Sequence, residues 1–307
     1  MLSGISIVCF ASSYAVTLAL EVSRLLFRLR VRWLVMILFA LAGLLAHTLY
    51  LINLARIELT GVLRIPFSSW YDWCLLAAWV LAATYIALAI RRPSTSIGVF
   101  LLPLVLLLIG VAVVMRGAAP FERQQALAYW GMIHGFMLLM GTTTVALGFA
   151  AGIMYLVQAS RLKRKLPPLQ GLRLPSLEWL QRLNRRMLIW STGWLGMGLL
   201  AGTVLNLIHQ TSGQRTLSWV NPTVMTSLVL FCWLLAATCF ESFYKPAREG
   251  HKVAYVTLAS FVFLGLVLAA VLLTHHGSAV PGASNGPLPT QPAFDQGDSP
   301  TEPLVDP

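Results

Sequence analysis

Histidines are the residues of this chain with the clearest potential for chemistry, because imidazole nitrogens bind metals and haem iron near neutral pH. The chain has six of them in 307 residues. Five belong to apolar segments that would bring them toward one face of a membrane, and only His251 falls on the other face. Imidazoles gathered at one membrane surface indicate a metal or haem centre. The five are His47, His134, His209, His275 and His276.

The elements that must position these histidines are membrane spans. A hydrocarbon core about 30 Å thick needs ~20 apolar residues of helix to cross it. Eight stretches of the chain reach about that length, so we predict an all-α fold, a polytopic membrane helix bundle of about eight transmembrane helices. The predicted spans are residues 4–22, 33–55, 71–90, 97–115, 127–157, 187–208, 223–243 and 253–274.

The basic residues between these spans predict the orientation, since cytoplasmic loops are enriched in Lys and Arg. Of the 22 Lys and Arg residues, 17 fall on one side of the predicted bundle and five on the other. The side with 17 is predicted to be cytoplasmic, which places both termini outside. The five on the external side are Arg56, Arg64, Arg116, Arg123 and Arg215.

Composition excludes a soluble domain. The mean hydropathy is +0.75, and only 11% of residues are charged, too few to cover a water-facing surface. The net charge of +11 does not indicate a nucleic-acid partner, because the basic residues lie at helix ends and in loops, where they meet the lipid bilayer. After His276 the chain is rich in Pro, Gly, Ser, Asp and Glu. We therefore predict one transmembrane domain over 1–276 and a disordered external tail over 277–307.

Other motifs that carry chemistry are absent from the sequence. The four cysteines lie within predicted spans and form no CxxC pair, which argues against thiol redox and zinc sites. The sequence has no P-loop, no Rossmann glycine fingerprint after a strand and no HExxH signature. Acidic residues fall near span ends, unlike those of a pump or transporter. The sequence therefore predicts no catalytic residues.

The histidines differ in how well their positions in the predicted spans suit a haem ligand. His134 lies about seven residues into the fifth span, roughly 10 Å below its outer end. His275 and His276 end the eighth span on the same side, and opposed helices there could offer imidazoles to both faces of a porphyrin. His47, in the outer half of the second span, and His209, at the end of the sixth, are weaker candidates because a hydrogen-bonded packing role explains them as well.

One tryptophan joins these histidines as a candidate contact for a flat ligand. Trp70, Trp73 and Trp130 lie at outer span ends and are explained as interfacial anchors. Trp219 instead lies in the external loop 214–222, where its ring could cover a flat aromatic ligand.

Four stretches have the order and composition of one membrane-protein family. Residues 66–71 precede a tryptophan-containing span, and His134 is followed on its helix by Gly-Ile-Met-Tyr-Leu at 152–156. Residues 174–178 precede a glycine-rich helix, and Trp-Val-Asn-Pro at 219–222 follows in an external loop. Together these stretches resemble the cytochrome c assembly family, the CcsA, ResC and HemX-like membrane proteins, with the third similar to the HemX-like branch.

The resemblance implies a haem-handling role in cytochrome c biogenesis. In this family the external histidines on either side of the tryptophan loop, here His134 and His275 or His276, are the axial ligands of haem b. The family presents haem to apocytochrome c outside the membrane, together with a ResB-like assembly partner, in the bacterial inner membrane. The implied protein is a non-enzymatic haem-binding assembly factor rather than a complete haem lyase.

The HemX-like branch also offers an alternative, a membrane regulator of the levels of a tetrapyrrole-biosynthesis enzyme. Two features favour it. Where the family carries a Trp-Asp-Pro run, this chain reads Trp-Val-Asn-Pro at 219–222, and the cytoplasmic segment 161–186 is strongly basic.

Overall fold

The computed structural model of the chain describes residues 6–24, 32–60, 69–117, 125–165, 173–211, 222–243 and 250–277. These residues form eight α-helices and no β-strand, which confirms the predicted all-α fold. Residues 278–307, which make up the predicted tail except for Gly277, lie outside the described residues. The helices are α1 (Ile7–Ser23), α2 (Arg32–Thr60), α3 (Trp70–Arg91), α4 (Gly98–Val114), α5 (Gln125–Lys163), α6 (Leu177–Thr211), α7 (Pro222–Phe243) and α8 (Gly250–Gly277).

Length and apolar composition make this a multi-pass membrane protein. Helices α2, α3, α5 and α6 are each long and apolar enough to cross a membrane, and so is α4 together with the 3-10 turn that extends it to Gly117. Helix α1 and the apolar parts described in α7 and α8 are shorter. Helices suit these segments because every backbone polar group in lipid must find its partner within the segment. The prediction of eight helical segments is confirmed, while eight crossings with both termini outside stay a prediction.

Local sequence sets the ends of α3 close to the predicted span. Ser69 and Asp72 form a capping box in which the Ser69 hydroxyl accepts from the Asp72 N–H at 3.3 Å and the Asp72 carboxylate accepts from the Ser69 N–H at 2.9 Å. The helix ends at Arg91, two residues before Pro93, as expected because the residue before a proline disfavours helical geometry.

The main difference from the predicted spans is at α6, which begins at Leu177 instead of near residue 187. Its first turns are too polar for the membrane core, but they continue the helix because Leu180 packs into the core and the guanidinium of Arg92 stacks on the Trp179 ring at 4.3 Å. Helix α6 therefore begins about ten residues before its apolar span, at the end where the basic residues lie.

The helices pack as two groups joined through α5. Helix α1 contacts α2 and α4, and α3 contacts the same two helices. Helix α6 contacts α5, α7 and α8, and α8 also packs on α5 and α7. Helices α3 and α4 both contact α5, so a continuous buried core runs from α1 to α8.

A polar cluster, here called the inner clasp because it lies on the side predicted to be cytoplasmic, holds α1 against the α3–α4 loop. Glu21 is buried, and its carboxylate accepts a hydrogen bond from the Tyr85 hydroxyl at 3.3 Å. The guanidinium of Arg24 lies 3.8 Å from that carboxylate and donates to the carbonyls of Pro93 at 2.8 Å and Thr95 at 3.2 Å. The clasp gives the buried carboxylate a cationic partner and a hydrogen bond at Oε1, while Oε2 is buried without a hydrogen bond.

Candidate functional site

His134 lies in the interface between α5 and α6. Its Nδ1 atom is 2.7 Å from the backbone carbonyl oxygen of Gly198. A carbonyl oxygen can only accept, so Nδ1 carries a proton, and in the neutral form of the ring the lone pair is then on Nε2. Histidines that bind metals commonly donate their other ring N–H to a carbonyl in this way, which fixes the tautomer and the ring direction.

Glycines on α6 make room for this ring. A Cβ atom at Gly202 would lie 2.8 Å from Cε1 and 3.0 Å from Nδ1 of His134. A Cβ atom at Gly198, one turn earlier, would lie 2.8 Å from the side chain of Leu138, which is one turn from His134 on α5. Only glycine lets α6 approach α5 this closely. The packing site of the His134 ring, here called its glycine seat, is therefore formed by Gly198 and Gly202.

An aromatic ring from α3 lies beside the same turn of α5. A Cβ atom at Gly135 would be 2.5 Å from Cζ2 of Trp73, so the indole rests directly on the residue after His134. The sequence predicted Trp73 only as an interfacial anchor. The sequence did place Trp73 and His134 near the same predicted end of their spans, and this shared position was the one sign that the two residues lie close together.

The backbone of α8 reaches the level of His134. Gly152 of α5 packs on Thr257 of α8, where its Cβ would lie 2.9 Å from Oγ1, and Phe149 stacks on Phe261 with ring centroids 3.9 Å apart. These pairs show that α5 and α8 are antiparallel. His134 is 18 residues from Gly152, and residue 275 is 18 residues from Thr257, so both helices rise ~27 Å to the same height.

The other predicted residues are covered only in part. At His209, His275 and His276 the structure describes the helical backbone but not the side chains, and Trp219 lies outside the described residues. His209 follows Gly202 by seven residues on α6, about 10 Å farther toward the end that is predicted to be external. The assignment of these residues to a haem site stays a prediction.

His47 belongs to a different part of the bundle. Its buried ring stacks on Phe10 with centroids 4.2 Å apart, and its Nδ1 is 3.4 Å from the Tyr14 hydroxyl. Its Nε2 is buried without a hydrogen bond of normal geometry, although the backbone of Leu75 interacts with the ring. Within the described residues α2 touches neither α5 nor α6, so the structure does not bring His47 together with His134.

The donor set determines which cofactor the site suits. Among the described residues no three His, Cys, Asp or Glu side chains come together as a metal cluster would require. Haem iron needs only one or two axial imidazoles, each from a different helix. His134 offers one imidazole oriented by a backbone carbonyl, which is the kind of side chain that an axial position of haem iron requires.

Comparison with known proteins adds one finding. The sequence pattern of the family described as "Cytochrome C assembly protein" matches residues 67–277. No curated protein and no solved structure matches the chain. The match contains α3 to α8, including His134 and both glycines of its seat, whereas α1, α2 and His47 precede it.

Proposed function

The chain belongs to the cytochrome c assembly protein family, and from that premise we propose that it binds haem b near the outer membrane face and presents it for attachment to apocytochrome c. A role in cytochrome c biogenesis follows from the family. The observation that carries the haem step is the imidazole of His134, oriented by the Gly198 carbonyl within the matched region.

In this proposal His134 and either His275 or His276 would hold the haem iron. The hydrogen bond at Nδ1 directs the lone pair of the ring to Nε2, the nitrogen that would meet the iron. Support for the second ligand is the height of residue 275 on α8, the same as that of His134 on α5. When bound, haem supplies the iron and the ring substituents that an apocytochrome receives.

The remaining residues act on the environment of the haem. Gly202 keeps the His134 ring against α6, and Trp73 limits how far the α5 turn can shift. We propose that Trp219 covers one edge of the porphyrin from the external loop, since aromatic rings stack well on flat ligands. None of these roles is catalytic, so the protein is an assembly factor that requires a partner.

That partner, in our proposal, is a ResB-like protein in the bacterial inner membrane. The described part of the chain consists almost entirely of helices, and it contains no soluble domain that could position an apocytochrome. A separate subunit would supply that surface.

A second candidate is a HemX-type regulator of tetrapyrrole-biosynthesis enzyme levels. It is favoured by the extension of α6 beyond its apolar span, where Arg182, Arg185 and Arg186 are exposed on the predicted cytoplasmic side. Such a surface could contact a soluble enzyme by charge.

Deleting the gene in the source organism separates the two functions. The haem-handling proposal expects loss of covalently bound haem from c-type cytochromes while b-type haem stays normal, with recovery by the wild-type gene but not by His134→Ala. Intact c-type cytochromes together with altered levels of an early tetrapyrrole enzyme would instead establish the regulator.

A further inference from the structure

A groove lies between the inner ends of α5 and α8, far from His134. Its volume is about 410 Å³. No step of the proposed haem function uses it. The groove is lined by Leu156, Val157, Ser160, Lys163 and Tyr255.

The groove lies one turn beyond a tight contact of α5 with α8 at Gly152. At Gly152 a Cβ atom would lie 2.9 Å from the Leu258 side chain and 3.2 Å from the Ala254 carbonyl, so no larger residue fits there. Farther toward the inner end, Leu156 of α5 and the exposed ring of Tyr255 of α8 line the groove. The tight contact at Gly152 therefore bounds the groove on the side that faces the middle of the helices.

The lining changes from apolar to polar along α5. Leu156 and Val157 form the deep part, the Ser160 hydroxyl follows one turn later, and Lys163 ends the helix, about 10 Å from Leu156. The Ser160 hydroxyl donates to the Val157 carbonyl at 2.9 Å, so its oxygen can accept a further hydrogen bond. This order matches a phospholipid, with acyl chain first, then glycerol, then phosphate.

Charge at the mouth of the groove selects an anion. The exposed ammonium of Lys163 makes no ion pair within the described part of the chain. Residues 157–165, at the end of α5, contain four basic residues and no acidic one, and in the sequence around the start of α8 Glu249 is accompanied by Arg248 and Lys252. Basic pockets between membrane helices on this side are typical sites for anionic head groups. The basic residues of these two ends are Arg161, Lys163, Arg164, Lys165 and Lys252.

We propose that this groove binds one anionic membrane phospholipid. The phosphate contacts the Lys163 ammonium, a head-group hydroxyl donates to Ser160, and an acyl chain lies along Leu156 and Val157. Tyr255, whose side chain is 61% exposed, closes one wall with its ring and offers its hydroxyl at the interface.

Native mass spectrometry of the purified full-length protein tests the proposal, with phosphatidylglycerol and phosphatidylcholine titrated in parallel. We expect one phosphatidylglycerol to be retained in preference to phosphatidylcholine. Lys163→Gln should weaken that retention roughly five-fold, the effect of one basic residue at a membrane surface. Lys163→Arg should preserve it. Arg164→Gln is the matched control, because it removes the same charge one residue outside the groove.

A second variant tests the shape of the site without changing its charge. Ser160→Phe fills the groove and should abolish selective retention while the protein keeps its thermal unfolding temperature in detergent. Equal weakening by Lys163→Gln and Arg164→Gln would show diffuse attraction and overturn the site. Equal retention of the two lipids would do the same, and stabilisation by inorganic phosphate as strong as by phosphatidylglycerol would assign the groove to a small anion.

Discussion

The Nδ1 atom of His134 and the carbonyl oxygen of Gly198 are 2.7 Å apart, across the interface of two long helices. The same ring lies against Gly202, so its position is fixed by a hydrogen bond on one atom and by close packing on others. An imidazole held in this way does not have to be ordered when a ligand arrives. The entropy cost of binding is therefore lower than for a freely rotating histidine.

Gly202→Ala should displace the His134 ring, since the new Cβ would be 2.8 Å from Cε1. We expect a loss of about 1–3 kcal/mol in the free energy of unfolding, as for other overpacked sites, and a weakened haem signal. Thermal unfolding in detergent and haem titration of the purified protein would measure both.

Gly193→Ala is the control on the same helix, because a Cβ at Gly193 would meet nothing within 4 Å. It should leave stability and haem binding unchanged. If Gly202→Ala behaves like Gly193→Ala, the ring does not depend on its glycine seat.

Arg24→Gln should destabilise the protein by about 3 kcal/mol, because it leaves the buried Glu21 carboxylate without its cationic partner. The bonds to the carbonyls of Pro93 and Thr95 would weaken at the same time. Chemical or thermal unfolding of the detergent-solubilised protein measures the loss.

Arg182→Gln removes the other ion pair described in the chain, that with Glu178, in which both side chains are more than 60% exposed. Such a pair contributes at most about 0.5 kcal/mol, so this variant should unfold like the wild type. Equal effects of the two arginine changes would mean that the inner clasp contributes no more than a surface pair.

His47→Leu should affect packing of α1 on α2 without affecting haem. It removes the stack on Phe10 and the bond to Tyr14, but it also removes a buried nitrogen without a regular hydrogen bond, so we expect a loss of about 1–2 kcal/mol. The absorption spectrum of bound haem should not change. A changed spectrum would mean that His47 takes part in the haem site despite its separation from α5.

Reporter fusions test the predicted orientation. A cytoplasmic reporter should be active when fused at Lys163 and silent when fused at Thr290, because 17 of the 22 basic residues fall on the side of Lys163. The opposite pattern, or activity at both positions, would overturn the arrangement of eight crossings with external termini.

Helix positions were predictable from the sequence to within a few residues for most elements. Apolar runs of about 20 residues and the charges between them determine α2 to α4, because a membrane imposes both a length and a boundary. Helix α6 was less predictable. Its polar first turns are held in the helix by tertiary contacts of Leu180 and Trp179, which hydropathy does not report.

The candidate site was predictable in part. The sequence ranked His134 above His47 by its position in the predicted span, but it could not show what either imidazole ring contacts. Their neighbours separate them: His134 meets a carbonyl and a glycine on α6, whereas His47 meets two aromatic rings of α1. The contacting residues are more than 30 positions apart in the chain, so the contacts depend on how the helices pack and cannot be predicted from local sequence.

The absorption spectrum of purified protein from haem-replete cells tests the central claim most directly, with His134→Ala and His251→Ala prepared in parallel. We predict a Soret band with low-spin features of two axial imidazoles in the wild type and in His251→Ala, since residue 251 is near the opposite end of α8 from residues 275 and 276. In His134→Ala the band should be lost or shifted. Identical spectra for the wild type and His134→Ala, or colourless wild-type protein, would contradict the assignment of His134 as a haem ligand.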